Sequence, residues 1–145
     1  MAKQKVYLSG GFKSNWQEKV ISELGEDFIF LNPREHELKD ASQYWAWDVH
    51  FVRQCDIVFA YMDSDNPSGY GLALEVGLAL GLNKTVILID ERSKRDSDFE
   101  MYFKIVHKSA NVVLSSLEDG VFYLQKYRVR QQEQQTSEYS SLTRT

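Results

Sequence analysis

Hydrophobic residues along this chain fall into two alternating kinds of segment. Short, nearly continuous apolar runs occur at Lys5–Ser9 (KVYLS), Phe28–Leu31 (FIFL), Asp56–Met62 (DIVFAYM), Thr85–Ile89 (TVILI) and Asn111–Leu114 (NVVL). Between them lie longer segments with helical spacing. The first carries Trp16, Val20, Ile21 and Leu24, with Asn15 placed to cap it and Gly25 to close it. The second runs from about Ser42 to Gln54, with Trp45, Val49 and Val52 on one side. A third surrounds Glu75, a fourth runs from Asp98 to about His107, and the last from Ser116 to about Tyr127. Continuous apolar strands alternating with helices predict a parallel sheet covered on both faces. With right-handed crossovers this is an α/β fold: a single doubly wound, Rossmann- or flavodoxin-like domain with a five-stranded parallel sheet. The pattern assigns residues 1–128 to that domain and 129–145, polar and poor in apolar residues, to a flexible tail.

Ligands of such sheets bind beyond the carboxyl ends of the strands. The Ser9–Phe12 turn, the Asn32–Asp40 loop, the Asp63–Tyr70 loop and the Asp90–Asp98 loop are therefore expected around one crevice. Within the third helical segment, the run Asn66–Asn83 (NPSGYGLALEVGLALGLN) holds a single charge, Glu75. Leu72, Val76, Ala79 and Leu80 share one helical face, and Leu74, Leu78 and Leu82 line another. A helix apolar on nearly all sides is normally buried. A buried carboxylate needs partners, since desolvation costs several kcal/mol or raises its pKa. Glu75 is thus a satisfied structural carboxylate or a working one.

Composition narrows the chemistry. The 145 residues are 43% hydrophobic with a net charge of −4, enough for one globular core. The densest basic stretches, Arg92–Arg95 and Lys126–Arg130, are short and read as solvated surface, so no nucleic-acid partner is expected. The single cysteine, Cys55, excludes an intramolecular disulfide framework and fits a reducing compartment. The opening residues lack the apolar core of a secretion signal, and no clean membrane-length apolar run exists, so a cytoplasmic chain with no membrane partner is expected. P-loop, G-x-S-x-G and complete G-x-G-x-x-G signatures are absent. His36, His50 and His107 have no metal-ligand spacing with one another or with Cys55. Neither a metal nor a cofactor is expected. Carboxylates, aromatics and glycine turns remain, a set that suits chemistry at a sugar bond.

Three motifs carry a resemblance to a known family. Residues 55–89 (CDIVFAYMDSDNPSGYGLALEVGLALGLNKTVILI) contain a strand, a polar loop, a glycine pair, E-V-G-x-A and G-x-x-K-x-V. Residues 6–12 (VYLSGGF) form an opening strand with a tyrosine and a glycine turn, and Asp48 stands eight residues before Asp56. Together, from about Val6 to Leu124, the chain resembles the nucleoside 2-deoxyribosyltransferases and their hydrolytic relatives, the deoxynucleotide N-glycosidases. The resemblance implies that Glu75 is a nucleophile attacking C1′ of a deoxynucleoside, that Tyr7 orients it, and that Asp48 handles the base and its proton. It also implies substrate contacts from Gly10, Gly11, Phe12, Ser68 and Gly69, a nucleoside and a nucleobase as small-molecule partners, and a homo-oligomer. On the residues alone, Tyr7 and Phe12 read equally as core packing and Asp48 as a solvated helix residue.

The match has a departure. Many transferases carry an acidic residue just before the glycine pair, where this chain has Asn66-Pro67-Ser68-Gly69 and its nearest carboxylates are Asp63 and Asp65. Hydrolytic relatives use a serine near this position to hold a 5′-phosphate, which Ser68 matches. The leading reading is a nucleoside 2-deoxyribosyltransferase working through a deoxyribosyl-glutamate. The alternatives are an N-glycoside hydrolase of nucleosides or 5′-monophosphates, and an inactive nucleotide-binding module.

Overall fold

The apolar runs become strands because Val, Ile, Leu and aromatic side chains fill a pleated surface buried on both sides. The computed structural model describes residues 3–65 and 69–128; Ser68 and the tail 129–145 lie outside them. The strands are β1 (Lys5–Gly10), β2 (Ile29–Leu31), β3 (Ile57–Met62), β4 (Thr85–Asp90) and β5 (Val112–Leu114). All pair in parallel, in the order β2-β1-β3-β4-β5. This is the flavodoxin-like member of the doubly wound folds.

Alternation along each strand separates two cores. Val6 and Leu8 of β1, Ile57, Phe59 and Tyr61 of β3, and Ile87 and Ile89 of β4 face α1 (Trp16–Leu24) and α6, residues 117–128. Tyr7, Val58, Ala60, Met62, Val86 and Leu88 face the opposite layer. That layer holds α2 (Ala41–Gln54), α3 (Tyr70–Gly81), α4 (Ser97–Tyr102) and α5 (Lys104–Ser109). The chain steps outward from β1 to β2 through α1, then returns to β3 through α2 on the other face. The switch point lies between β1 and β3, the place where such sheets open a crevice.

Local chemistry fixes the connections around that point. After β2, Asn32 accepts a hydrogen bond from the Arg34 amide and Pro33 starts a 3-10 turn, Pro33–His36. Asp40 caps α2 by accepting from the Ser42 amide. Gly69 begins α3 at φ 90, a left-handed conformation that favours glycine. Gly10 ends β1 where there is no room for a side chain. A Cβ there would stand 2.6 Å from the Tyr61 carbonyl oxygen and 2.8 Å from the Trp16 ring.

Four expectations need correction. Asn15 precedes α1, but its side chain makes no capping bond, and Gly25 is right-handed (φ −63). The chain turns instead through a bond from the Asp27 amide to the Leu24 carbonyl. The helix expected from Asp98 to His107 is two, divided at Phe103 (φ −101), whose ring stacks on Phe99 at 4.2 Å. On α2 the expected side holds, with Val52 fully buried and Trp45 and Val49 partly buried. Helix α3 is buried on one face alone, through Leu72, Glu75, Val76 and Ala79, while Leu74 is 63% exposed and Leu80 and Leu82 also face outward. The leucines that suggest burial on all sides instead form an apolar outer surface.

Gly10→Ala is expected to cost about 1–3 kcal/mol, because the clash is with backbone and a packed ring rather than a movable side-chain end. Urea unfolding measures it, and an unchanged midpoint would show that the close approach relaxes without cost.

Candidate active site

Period-two geometry on β1 gives Glu75 its partners. Tyr7 and Ser9 are two residues apart and point to the same side of the sheet, toward α3. The Tyr7 hydroxyl donates a hydrogen bond to Glu75 Oε2, and Ser9 Oγ donates to Oε1 at 2.9 Å. All three residues are buried. Each carboxylate oxygen therefore has a donor, which satisfies a group that its helix position would otherwise leave orphaned.

The electrostatics are unbalanced in a specific direction. Burial pushes the Glu75 carboxyl up to about 7, against the pull of the Tyr7 and Ser9 hydrogen bonds, and the neighbouring Asp48 charge adds to the rise. Burial also raises Tyr7, followed by the adjacent Glu75 and Asp48 charges, so its phenol stays protonated and serves as a donor. Asp48 on α2 is raised by burial, opposed by its contact with His36. These carboxyls favour the neutral form more than exposed ones do, and such shifts collect at functional sites.

A cleft of about 460 Å³ joins these groups beyond the strand ends. Gly10, Gly11 and Phe12 line it from the β1 turn, Asp48 and Tyr44 from α2, and Gly69, Tyr70, Gly71, Leu72 and Glu75 from the start of α3. His36, Leu38 and Lys39 close the side toward the loop after β2. The site residues expected from sequence that fall within the described residues all line this cleft except Tyr7, which lies beneath it, bonded to Glu75. Phe12 is half exposed, with the Arg34 guanidinium stacked 4.8 Å from its ring centroid. Arg34 also donates to Gln17 Oε1 at 2.9 Å and to the Ser14 carbonyl at 2.5 Å, which ties down the turn that carries Phe12.

Two further participants join the site, one readable from strand alternation and one visible only in three dimensions. Ser9 follows Tyr7 at the spacing that shares a strand face, so alternation along β1 is a sufficient signal for it. His36 has no metal-ligand spacing in the sequence, yet its Nε2 lies 3.2 Å from Asp48 Oδ1. Among the described residues no cluster of three or more His, Cys, Asp or Glu side chains has the arrangement to hold a metal ion. Cys55 is buried, and burial pushes its thiol up to about 11, the behaviour of an inert packing group. No helix of the described residues is long and apolar enough to cross a membrane.

The family described as nucleoside 2-deoxyribosyltransferase like has a sequence model that matches residues 3–93. Among solved structures, the chain is similar to a 2-desoxiribosyltransferase from Leishmania mexicana, with 22% identity and a TM-score of 0.52. That likeness covers 61% of this chain and 65% of that one, so this chain spans just under two thirds of that enzyme. It is also similar to a CMP N-glycosidase from Clostridium botulinum, with 17% identity and a TM-score of 0.57 over 86% of this chain and 99% of that one. At these identities both likenesses are of fold. No curated protein sequence matches the chain.

Because the folded state raises Glu75 from an ordinary 4.5 to about 7, folding binds a proton more tightly there than the unfolded chain does. The associated destabilisation is absent below pH 4.5, grows as pH rises, and is complete above pH 7, at about 3 kcal/mol. Glu75→Gln is therefore expected to raise the melting temperature at pH 8 and to leave it nearly unchanged at pH 4.5. Equal effects at both pH values would show that Glu75 is not held in its neutral form by burial.

Proposed function

This chain belongs to the nucleoside 2-deoxyribosyltransferase-like family, and on that premise we propose that it moves 2-deoxyribose between nucleobases through a covalent deoxyribosyl-Glu75 intermediate. The observation that carries the proposal is the Tyr7–Glu75–Ser9 arrangement, a buried carboxylate held by two hydroxyls at the wall of a cleft. A carboxylate held for structure alone has no reason to border open space beside a second raised carboxyl.

The steps follow from these groups. Ionised Glu75 attacks C1′ of the bound nucleoside as the bond from C1′ to the base nitrogen breaks. Asp48 in its acid form gives its proton to the leaving base. The transition state carries oxocarbenium character, which the adjacent carboxylate stabilises. Tyr7 and Ser9 keep Glu75 aimed and hold its oxygens while the ester exists. A second base then attacks C1′ and returns its proton to Asp48, and the bond from C1′ to Glu75 breaks. Two displacements retain the anomeric configuration. Phe12, backed by Arg34, offers a ring on which a flat base stacks.

Hydrolysis is the second reading, supported by the exposure of Phe12 and of Tyr70 (76%) at the rim of the cleft. Water has access there once the first base departs. Deoxyinosine incubated with adenine separates the readings: deoxyadenosine indicates transfer, and free sugar with hypoxanthine indicates hydrolysis. Glu75→Ala is expected to lower either turnover by at least ~10³-fold, and Asp48→Asn by ~10²–10⁴-fold. Full turnover by Glu75→Ala would rule out the covalent mechanism. In wild type, kcat/KM should rise as Glu75 ionises through pH 7.

Homo-oligomerisation belongs to the same proposal. Its support is the apolar outer surface of α3 and its surroundings, where Leu74, Leu80, Tyr102 and Ile105 are exposed. Leu74→Glu is expected to shift the protein to a smaller species in sedimentation, with the far-UV spectrum preserved. An unchanged sedimentation coefficient would remove α3 as the contact.

A further inference from the structure

His36 makes two contacts that together determine where its proton lies. The Leu38 backbone N–H points at His36 Nδ1, 3.1 Å away. A backbone amide only donates, so Nδ1 must present its lone pair. The remaining ring proton is then on Nε2, facing Asp48 Oδ1 at 3.2 Å. The loop is shaped for this: Glu37 between them is left-handed (φ 54), which folds the Leu38 amide back onto the ring two residues earlier. The His36 side chain is only 7% exposed and that of Asp48 15%, so water competes weakly for either contact.

We propose that His36 is a positioning residue: held as the Nε2–H tautomer by the Leu38 amide, it anchors Asp48 through Oδ1 and leaves Oδ2 to exchange the proton with the base. The inference rests on the reading of Asp48 given above. It adds a reason why Asp48, on a helix whose side chains are mostly exposed, keeps a single orientation. It also assigns different work to the two oxygens of one carboxyl. An Asp48 without this anchor rotates freely about its terminal torsion and presents its proton to the base only part of the time. Charged and titratable groups around Asp48 are Tyr7 from β1, Glu75 from α3, and His36 and Lys39 from the loop after β2. Among these His36 alone has a direct hydrogen bond to it among the described residues.

Two substitutions separate positioning from bulk. In His36→Gln the amide nitrogen reaches the place of Nε2 and still donates to Oδ1, so turnover should stay within ~10-fold of wild type. His36→Phe keeps the volume without the donor and should lower kcat by ~10²-fold with little change in KM. It should also move the Asp48 limb of the pH profile upward, because the His36 contact lowers that carboxyl. In an Asp48→Asn background the same His36→Phe change should cost almost nothing further; multiplicative losses would overturn the proposal. Two readouts on the full chain are independent of turnover. Nitrogen-15 NMR of the imidazole at pH 7 should show the Nε2–H tautomer, and an Nδ1–H or doubly protonated ring overturns the proposal. Carbon-13 titration of the Asp48 carboxyl should move upward in His36→Phe, and an unmoved titration overturns it as well. If wild type turns over no nucleoside, the N-glycosidic reading fails while these two spectra still decide the role of His36.

Discussion

The site depends on one constraint, that a carboxylate placed on the sheet-facing side of a helix must be satisfied without water. Glu75 shares its buried face with Leu72, Val76 and Ala79. Its donors come from the sheet below, and β1 supplies both through Tyr7 and Ser9. That requirement sets the register of α3 over β1, because a shift of one residue along the helix would turn the carboxyl away from the strand. It accounts for two hydroxyls in a strand whose other face is aliphatic. The same constraint places the carboxyl at the switch point, where the sheet opens.

Around this centre the remaining parts act as supports. The glycine turn after β1 allows the backbone to pass close to Tyr61 and Trp16, and it brings Phe12 to the rim. The segment after β2 works in two directions, with Arg34 steadying the Phe12 turn and His36 contacting Asp48. A few residues of irregular backbone thus serve two walls of one cleft. Loops that carry function this way rely on a rigid scaffold for their accuracy, and here that scaffold is the β1–β3 pair with α3 docked on it.

Much of this is legible in the sequence because the physical signals are strong there. Continuous apolar runs such as IVFAYM and TVILI fit only a sheet covered on both faces, and they mark the strands within a residue or two. Glu75 stands out because nothing else on its helix is charged. Legibility falls where meaning depends on three-dimensional neighbours. Leu74, Leu80 and Leu82 look like core in one dimension, yet they lie on the outer surface, because apolar character does not reveal which face of a helix meets the sheet. The break at Phe103 has no glycine or proline to announce it. His36 looks idle along the chain, since its partner Asp48 is brought near only by the path from β2 into α2. Ser9 is readable, because strand alternation puts it on the same face as Tyr7.

The reach of these contacts along the chain bears on how the protein comes into being. Tyr7 and Glu75 are 68 positions apart, and Ser9 and Glu75 are 66 apart. On a ribosome adding roughly 5–20 residues per second, β1 waits several seconds before α3 is even made. Throughout most of that interval β1 has neither its β3 neighbour nor the helix that covers it. The two hydroxyls of β1 are thus made long before the carboxylate they hold, whose arrival completes the contact.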